Sequence, residues 1–419
     1  LALIAGLGNV LEWYDFAVYG ALAATLARVF FPDSDGGGSL QRSFAVFAIG
    51  FLMRPVGGLA LGPIGDRVGR RRLMLVSMAA MALASTLIGL LPTHQQAGPL
   101  AGWLLILLRM LQGFSLGGEY TGSITYVVEA APADRRGRQG SLPAAGAQVG
   151  IVAGALTAAL VQARLTPEAM QSWGWRLPFL LAGAMALLAL WLRRGLPEVP
   201  LQRDPHDQRG LAALVSSLRR EAPRLRQVLA ILAFEKVSFY LVFVFWVQRA
   251  ISLHPAGGAA FNGLATVVLA AGIPLVLLAG RWADRYGAAR MMRLWSLLLA
   301  LLITPAMLLL QRATFAPMAL GMVLAGVPLM LINGTYPALI PFLFAPERRC
   351  TAFSFSYSLG GSLLGGTAPA LAAWMLADRS WSAGPLLYAL VWALPALLVL
   401  GRLAAVETRA RRNRAGAAG

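Results

Sequence analysis

The feature that most constrains this chain is a charged turn that occurs twice, half a chain apart, each time at the end of an apolar segment. The first copy spans residues 62–72 and the second spans residues 280–290. Both copies read Gly-x-x-x-Asp-Arg-x-Gly and are followed by a further arginine. Such a turn, repeated between hydrophobic segments, predicts a membrane protein built from two related halves, an organisation that is typical of transporters.

The composition supports a membrane protein. Hydrophobic residues make up 58% of the chain and charged residues only 13%, against about a quarter in soluble domains. The run 73–91 carries no charge and is long enough to cross a bilayer, which takes about 20 residues. The net charge of +18 would suit nucleic acid, but the arginines stand in short clusters between apolar segments. That pattern indicates membrane topology and contact with lipid head groups, so we expect membrane lipids and no nucleic acid as partners.

The pattern predicts an all-α integral membrane protein, with twelve transmembrane helices in two pseudo-symmetric six-helix halves. The N-terminal half comprises residues 1–194, the central loop 195–226, the C-terminal half 227–407 and a basic tail 408–419. With the N-terminus inside, most of the 36 basic residues fall on the inner side, as the positive-inside rule expects. We therefore expect a monomeric, multi-pass protein of the bacterial plasma (inner) membrane, with both termini in the cytoplasm.

The sequence offers little support for enzymatic, metal or cofactor chemistry. Cys350 is the only cysteine and the three histidines fall in predicted loops, so we expect no metal site and no cofactor. No Walker A motif supports an ATP-driven pump, and no serine nucleophile has an evident histidine base, so we do not expect an enzyme. A passive channel is a further alternative, although buried acid–base groups suit coupled transport better.

Small residues mark close packing of helices. Gly146, Gly150 and Gly154 share one face of helix 5, predicted over 140–164, and Gly361 and Gly365 share one face of helix 11, predicted over 351–377. Such spacing lets helix backbones approach closely in the membrane. It indicates either static packing or a sliding seam between the two halves.

Several motifs, taken in order, resemble those of the major facilitator superfamily, and within it those of the metabolite:proton symporter family. They read GNVLEWYDF at 8–16, RPVGG at 54–58, RMLQGFSLGGEYTG at 109–122 and WGWRLPF at 173–179, and cover nearly all of the first half. The family includes proline/betaine, shikimate, 2-oxoglutarate and citrate permeases, so the resemblance implies the major facilitator fold. The second half is less similar, since its charged turn lacks the triple arginine and its Glu235-Lys236 pair is not typical of the family.

The resemblance also implies a role for the two charged turns. They would latch the cytoplasmic ends of neighbouring helices when the inside is closed, and the alternative is a topology signal alone. Glu129, at the end of helix 4, is a candidate partner, and Asp66 could also face the N-terminus of helix 11, where the helix dipole favours an anion. The predicted latch comprises Asp66, Arg67, Arg70, Arg71, Glu129, Asp284 and Arg285.

Seven ionisable residues lie well within predicted helices, where each costs roughly 3 kcal/mol if unpaired. They must face one another, water or a ligand, and salt bridges such as Glu12 with Arg54 or Arg109 are one alternative. A bridge from Lys236 to an acid of helix 1 is another. Because adjacent residues differ by 100° around a helix, Glu235 should point away from Lys236 and meet another helix. The set is Glu12, Asp15, Arg54, Arg109, Glu119, Glu235 and Lys236.

We assign transport roles to these side chains. Glu119 and Asp15, with Glu12 as a third candidate, are predicted to carry the coupled proton. Arginine suits a substrate carboxylate because its planar fork donates two parallel hydrogen bonds. Helix 10, predicted over 316–344, should be bent by its prolines and present polar groups to a cavity. The predicted substrate-binding residues are Arg109, Lys236, Arg54, Gln112, Tyr120, Tyr240, Asn333 and Tyr336.

These assignments predict a proton-coupled symporter that imports a small organic anion by alternating access. Lys236, the only lysine, adds a third buried base and favours an anion. The alternative is a proton symporter of a zwitterionic osmolyte such as proline or a betaine, whose quaternary ammonium the aromatic side chains near Lys236 would cage. Proton-driven efflux of hydrophobic drugs is less expected, because drug pockets are mostly apolar.

Overall fold

The computed structural model describes residues 2–32, 39–199, 211–377 and 382–418. The first half contains six long helices: α1 (Ala2–Phe30), α2 (Ser39–Arg67), α3 (Arg70–Leu90), α4 (Pro99–Ala130), α5 (Arg136–Arg164) and α6 (Arg176–Arg193). A short helix, His94–Ala97, precedes α4, and the segments Pro167–Ala169 and Met170–Gly174 lead into α6.

The second half contains α7 (Leu211–Tyr240), α8 (Gly258–Tyr286), α9 (Ala288–Leu310), α10 (Phe315–Thr335), α11 (Arg349–Ser358) and α12 (Gly384–Ala418). Two of these continue through a wider π-helical turn, and the labels α7 and α11 include the continuations. They are Leu241–Phe245 and Trp246–Leu253 for α7, and Leu359–Gly365 and Gly366–Ala377 for α11.

Within the described residues, eleven helices are long and apolar enough to cross a membrane. The twelfth helix of the bundle is α1, which is 29 residues long. Its mean hydropathy is lowered by Asn9, Glu12 and Asp15, which lie near its middle and are buried. The predicted twelve-helix architecture in two halves is thus confirmed.

The two halves pack their helices in the same order. In the first half α1 packs against α5, α2 against α4 and α3 against α6. In the second half α7 packs against α11, α8 against α10 and α9 against α12, which is the same pairing six helices later. The halves meet where α2 contacts α11 and where α5 contacts α8. This equivalence of contacts gives the bundle its pseudo-twofold symmetry.

The glycine repeat of helix 5 does not form the seam between the halves. A methyl group on Gly146 would lie 2.9 Å from the carbonyl oxygen of Gly6 in α1, and Gly150 and Gly154 face the same helix. Other glycines do lie at the seam: a methyl group on Gly62 of α2 would lie 2.6 Å from the Cα atom of Thr351 in α11, and one on Gly137, at the start of α5, would collide with the backbone of α8. The repeat 146–154 therefore reflects packing within the first half.

Two predicted boundaries differ from the structure. Helix 7 was expected to begin at 227, but the helix begins at Leu211, while residues 200–210 of the predicted loop lie outside the described residues. Helix 10 was expected to reach 344, but α10 ends at Thr335 and passes into a 3₁₀ turn, Tyr336–Ala338. Proline at 337 lacks the N–H that a continuing α-helix needs. The helix therefore ends at this point, where a bend was expected.

Candidate functional site

The middle of α1 presents a row of buried polar side chains to the centre of the first half. The Asn9 amide donates to the carbonyl oxygen of Pro143 at 3.3 Å and accepts from Ser123 Oγ at 3.0 Å. Glu12 and Asp15 follow on the same helix and are 1% and 0% exposed. Their helical spacing of three residues, recognised in the sequence, places all three on one face.

Asp15 belongs to a hydrogen-bonded cluster with Arg109 and Gln112 of α4. Gln112 Nε2 donates to Asp15 Oδ2 at 2.7 Å and contacts Ser85 Oγ at 2.9 Å. Arg109 NH1 donates to Gln112 Oε1 at 2.7 Å and lies 3.4 Å from Asp15 Oδ2. The Arg109 guanidinium also lies over the ring of Tyr19, 4.1 Å from its centroid. The cluster joins an acid and a base that are both fully buried.

Arg54 of α2 is held by aromatic rings. Its guanidinium lies 4.4 Å from the ring centroids of both Phe16 and Phe51, and 5.1 Å from that of Trp13. Among the described residues, no ion pair joins Glu12 to Arg54 or to Arg109, so the salt bridge considered for Glu12 is absent there. Glu12 Oε2 and two guanidinium nitrogens of Arg54 are buried, and they make no hydrogen bond with the described residues.

Glu119 is paired with a residue that is not among the predicted site residues. Arg193, the last residue of α6, donates to Glu119 Oε1 and to the carbonyl oxygen of Ala5. Arg193 is 0% exposed, whereas its neighbour Arg194 is exposed. Both arginines stand at the end of an apolar run, and nothing in the local sequence separates them.

Arg193 reaches Glu119 by passing Gly8 of α1. A methyl group on Gly8 would lie 2.6 Å from Glu119 Oε1 and would collide with the Arg193 guanidinium. The glycine at the start of the helix 1 motif thus makes room for the ion pair. With Arg193 included, the charges that the described residues bury at the bundle centre are four acids and four bases, namely Glu12, Asp15, Glu119, Glu235, Arg54, Arg109, Arg193 and Lys236.

Lys236 and Glu235 form an ion pair with each other, which corrects the expectation that Glu235 meets another helix. Lys236 Nζ lies 3.0 Å from Glu235 Oε2 and 3.3 Å from Oε1. The 100° between their Cα positions is bridged by the long, flexible lysine stem. The predicted alternative, a bridge from Lys236 to an acid of α1, is not what the structure shows.

Two tyrosines of the second half contact the lysine ammonium, and a tyrosine of the first half packs against them. Lys236 Nζ lies 4.7 Å from the ring centroid of Tyr357 and 5.9 Å from that of Tyr336. Tyr120 of α4 lies 5.0 Å from Tyr357, ring to ring, and its hydroxyl shares a hydrogen bond with that of Tyr336. We call these three residues the tyrosine cage.

The remaining predicted binding residues line the same region. Tyr240 lies one turn after Lys236 and its ring contacts that of Phe51 in α2, 6.1 Å between centroids. Asn333 is 7% exposed, and its Oδ1 atom is buried without a hydrogen bond from the described residues. Of the predicted binding residues, Tyr120, Tyr336 and Tyr240 make contacts between the two halves, whereas Arg109 and Gln112 contact residues of the first half.

The first charged turn joins the two halves at one end of the bundle, which we call the charged end. Asp66 accepts hydrogen bonds from the backbone N–H groups of Cys350 at 2.9 Å and Thr351 at 2.8 Å. Glu129 accepts from Arg70 Nε at 2.9 Å and from Arg349 NH1 at 2.7 Å. An acid thus caps the first turn of α11, where the helix dipole favours negative charge.

The second charged turn makes the equivalent contact. Asp284 accepts from the backbone N–H groups of Gly137 at 2.6 Å and Arg138 at 2.8 Å, in the first turn of α5. Two further predicted latch residues, Arg71 and Arg285, lie against other partners in the described part of the chain. Arg71 binds Glu198 through its backbone N–H, Arg285 lies over the ring of Tyr286, and Arg67 is half-buried beside the first turn.

A cavity of about 370 Å³ lies at the charged end, between α1, α5 and α8. It is lined by Leu3, Leu142, Leu277 and two exposed arginines, Arg138 and Arg281. None of the eight buried central charges lines it, so it is not the candidate substrate site.

The hydrogen bonds that join described residues of the two halves run from Tyr120 to the charged end. They close the bundle on that side.

Two pseudo-symmetric six-helix halves that close around buried charges define a secondary membrane transporter. Residues 1–203 match the family model described as "Sugar (and other) transporter". The chain is 34% identical to the ectoine/proline transporter ProP of Corynebacterium glutamicum, over 91% of this chain and 79% of that protein. It is 33% identical to a putative proline/betaine transporter of Staphylococcus aureus strain COL, over 95% and 85%.

The fold is also that of a solved structure, the proton:xylose symporter XylE bound to 6-bromo-6-deoxy-D-glucose. The TM-score is 0.77 at 18% identity, covering 95% of this chain and 93% of that one. The chain belongs to the major facilitator superfamily, and within it to the metabolite:proton symporter family. It is a multi-pass membrane transporter of small molecules and not an enzyme.

Proposed function

We propose that this chain is a proton-coupled symporter that imports a zwitterionic osmolyte, such as proline or glycine betaine, by alternating access. The observation that carries the proposal is the balance of the buried centre, four acids against four bases. In a balanced centre no base is left over to hold an anion, whereas a zwitterion brings one group of each sign and can pair with a buried base and a buried acid together.

The argument for an organic anion rested on Lys236 as a surplus base. In the structure its charge is matched by Glu235, and the newly found Arg193 is matched by Glu119. The relatives named for proline, betaine and ectoine transport support the same choice. We therefore place the osmolyte first and the organic anion second.

The proton would be carried by an acid whose partner changes with conformation. Asp15 is the stronger candidate, because its cluster joins α1, α3 and α4 through side chains alone. Glu119 is a second candidate and Glu12 a third. Coupling requires that the acid hold its proton better in one state than in the other. Arg109, next to Asp15, would compete with the proton for the carboxylate.

The two halves would comprise residues 1–194 and 227–407, joined by 195–226 and followed by the tail 408–419. They would rock around the central site, and the charged end would face the cytoplasm of a bacterium, with both termini inside its plasma (inner) membrane. The excess of arginine at that end supports this orientation. The transporter would act as a monomer, with anionic lipids around its arginines.

The latch residues would hold the inward side closed. Asp66 and Asp284 each cap a helix of the opposite half, and Glu129 binds a base from each half, Arg70 and Arg349. Opening toward the cytoplasm would break both caps together. The state described here would thus be the one that receives substrate from outside.

Charge movement tests the substrate class. A zwitterion entering with one proton moves a positive charge, worth about 2.3 kcal/mol per 100 mV, while a monoanion entering with one proton moves none. In proteoliposomes at equal pH on both sides, an imposed inside-negative potential should drive glycine betaine or proline accumulation. Potential-independent uptake that carboxylic acids compete for would overturn the proposal in favour of the organic anion.

A further inference from the structure

The ion pair of Glu235 and Lys236 has an unusual construction for the middle of a membrane helix. Adjacent residues of a helix do not face each other, so the lysine stem must fold back for its ammonium to reach the neighbouring carboxylate. Both side chains are buried, at 2% and 7% exposure. Glu235 Oε2 lies 3.0 Å from the ammonium, but it receives no hydrogen bond from the described residues.

The ammonium also occupies a site suited to other cations. The tyrosine cage presents aromatic faces to it, with the Tyr357 centroid at 4.7 Å, and aromatic faces attract quaternary ammonium groups as well. The cage is built from α4, the 3₁₀ turn that follows α10, and α11, so it spans both halves of the bundle. A cation in the cage would therefore contact the elements that move against each other.

The backbone around the pair can adjust. A π-helical turn, Leu241–Phe245, follows Tyr240 directly, and another, Leu359–Gly365, lies in the facing helix. Such turns often mark functional positions within helices. Gly365 packs against the lysine, and a methyl group there would lie 3.0 Å from Lys236 Cβ. The lysine stem is thus anchored at its base while its ammonium remains the movable part.

We propose that the substrate binds by exchanging into this ion pair. Resting on the proposed function, the inference is that the cationic group of a zwitterion enters the tyrosine cage beside Glu235, while the substrate carboxylate takes the ammonium of Lys236. One ion pair becomes two, and no charge is left without a partner. Lys236 serves as an internal substitute cation that holds the cage until substrate arrives.

If substrate exchanges into the ion pair, removing one of its charges should raise the affinity for a small ion that replaces it. Loss of Lys236 should favour a cation, and loss of Glu235 should favour an anion. Lys236→Met empties the cage and leaves Glu235 free, so tetramethylammonium, a cation without a carboxylate, should bind about tenfold more tightly than to the unmodified protein. Glu235→Gln frees Lys236, so acetate should bind about tenfold more tightly. Glycine betaine should bind about tenfold more weakly to both. Binding is measured by calorimetry on the purified protein.

Two further variants show whether the ion pair exchanges with substrate or has only a structural role. The double variant Glu235→Gln with Lys236→Met has no unpaired charge and should gain affinity for neither probe. Adding Tyr357→Leu to Lys236→Met should abolish the gain for tetramethylammonium. If Lys236→Met does not fold, the acetate measurement on Glu235→Gln decides the exchange by itself.

The results also distinguish failure of this inference from failure of the proposed function. Loss of glycine betaine binding without a gain for either single-charge probe would overturn the exchange, and the pair would then be structural. If the unmodified protein transports no zwitterion, the proposed function fails, while the tetramethylammonium and acetate gains still decide whether the cage and the lysine are exchangeable sites.

Discussion

Arg193 and Glu119 form an ion pair that connects the end of α6 to the middle of α4, and both residues are buried. Arg193 also binds the carbonyl oxygen of Ala5, so one guanidinium connects three helices of the first half. A buried charge that loses its partner is strongly destabilising, whereas removing both charges costs much less. This asymmetry makes the pair testable.

Arg193→Gln should lower the free energy of unfolding by about 3 kcal/mol, because it leaves Glu119 buried without its base. The double change with Glu119→Gln should recover most of that loss. Arg194→Gln is the matched control, since Arg194 is the exposed neighbour. Chemical unfolding in detergent measures all three. Equal stability of the two single arginine variants would show that Glu119 does not depend on Arg193.

Gly8→Ala should weaken the same ion pair without touching either charge. The added methyl group would lie 2.6 Å from Glu119 Oε1 and would displace the guanidinium. We expect a loss of about 1–3 kcal/mol in stability, as for other overpacked interiors, together with slower transport. Gly20→Ala in the same helix is the control, because nothing lies within 4 Å of a methyl group there. A neutral Gly8→Ala would contradict the packing described.

Asp66→Asn should favour the state that is open at the charged end. The carboxylate caps the first turn of α11, and helix caps contribute about 1 kcal/mol. Cys350, the only cysteine, is 0% exposed and donates its N–H to Asp66. Its labelling by a membrane-permeant maleimide should therefore become roughly 5- to 10-fold faster, while substrate affinity changes little.

The control for the latch is Glu168→Gln, which alters an exposed acid in the segment before α6, outside both charged turns. It should leave the labelling rate of Cys350 unchanged. Asp284→Asn, at the equivalent cap of α5, should accelerate labelling as Asp66→Asn does. Unchanged labelling in both cap variants would mean that the charged turns only set topology.

Asp15→Asn should abolish uptake driven by a proton gradient while exchange of labelled for unlabelled substrate continues. The amide cannot carry a proton, but it can keep a hydrogen bond to Gln112, which lies 2.7 Å from Asp15 Oδ2. Proteoliposome uptake and counterflow measure the two activities. Glu168→Gln, an exposed acid, is the control. If the Asn variant still accumulates substrate against a gradient, Asp15 does not carry the coupled proton, and the role passes to Glu119 or Glu12.

Arg109→Lys tests whether this arginine binds the substrate or only Asp15. Lysine keeps the charge but loses the planar fork. If Arg109 holds the carboxylate, as the sequence suggested, substrate affinity should fall about tenfold or more. If it acts only through Asp15, affinity should stay within about twofold while proton-driven uptake drops. Calorimetry measures the substrate affinity, and proteoliposomes made from the same preparation measure the proton-driven uptake.

The number of helices, their grouping into two halves and the family follow from the amino-acid sequence. Apolar runs of membrane length, the repeated charged turn and the motif around Glu12 and Asp15 sufficed, because each is a local pattern. Which charges meet, in contrast, depends on the packing of the helices. Periodicity gives the direction of a side chain, but not the height at which neighbouring helices cross or how far a long side chain bends.

For that reason Arg193, at the end of α6, lies in the core against Glu119, and Lys236 turns back to Glu235. The glycine repeat 146–154 of α5 faces α1 and not the other half, which again depends on how the helices are stacked. Charges in a low-dielectric interior stay where a partner is within reach, and which partners are within reach is a property of the assembled bundle.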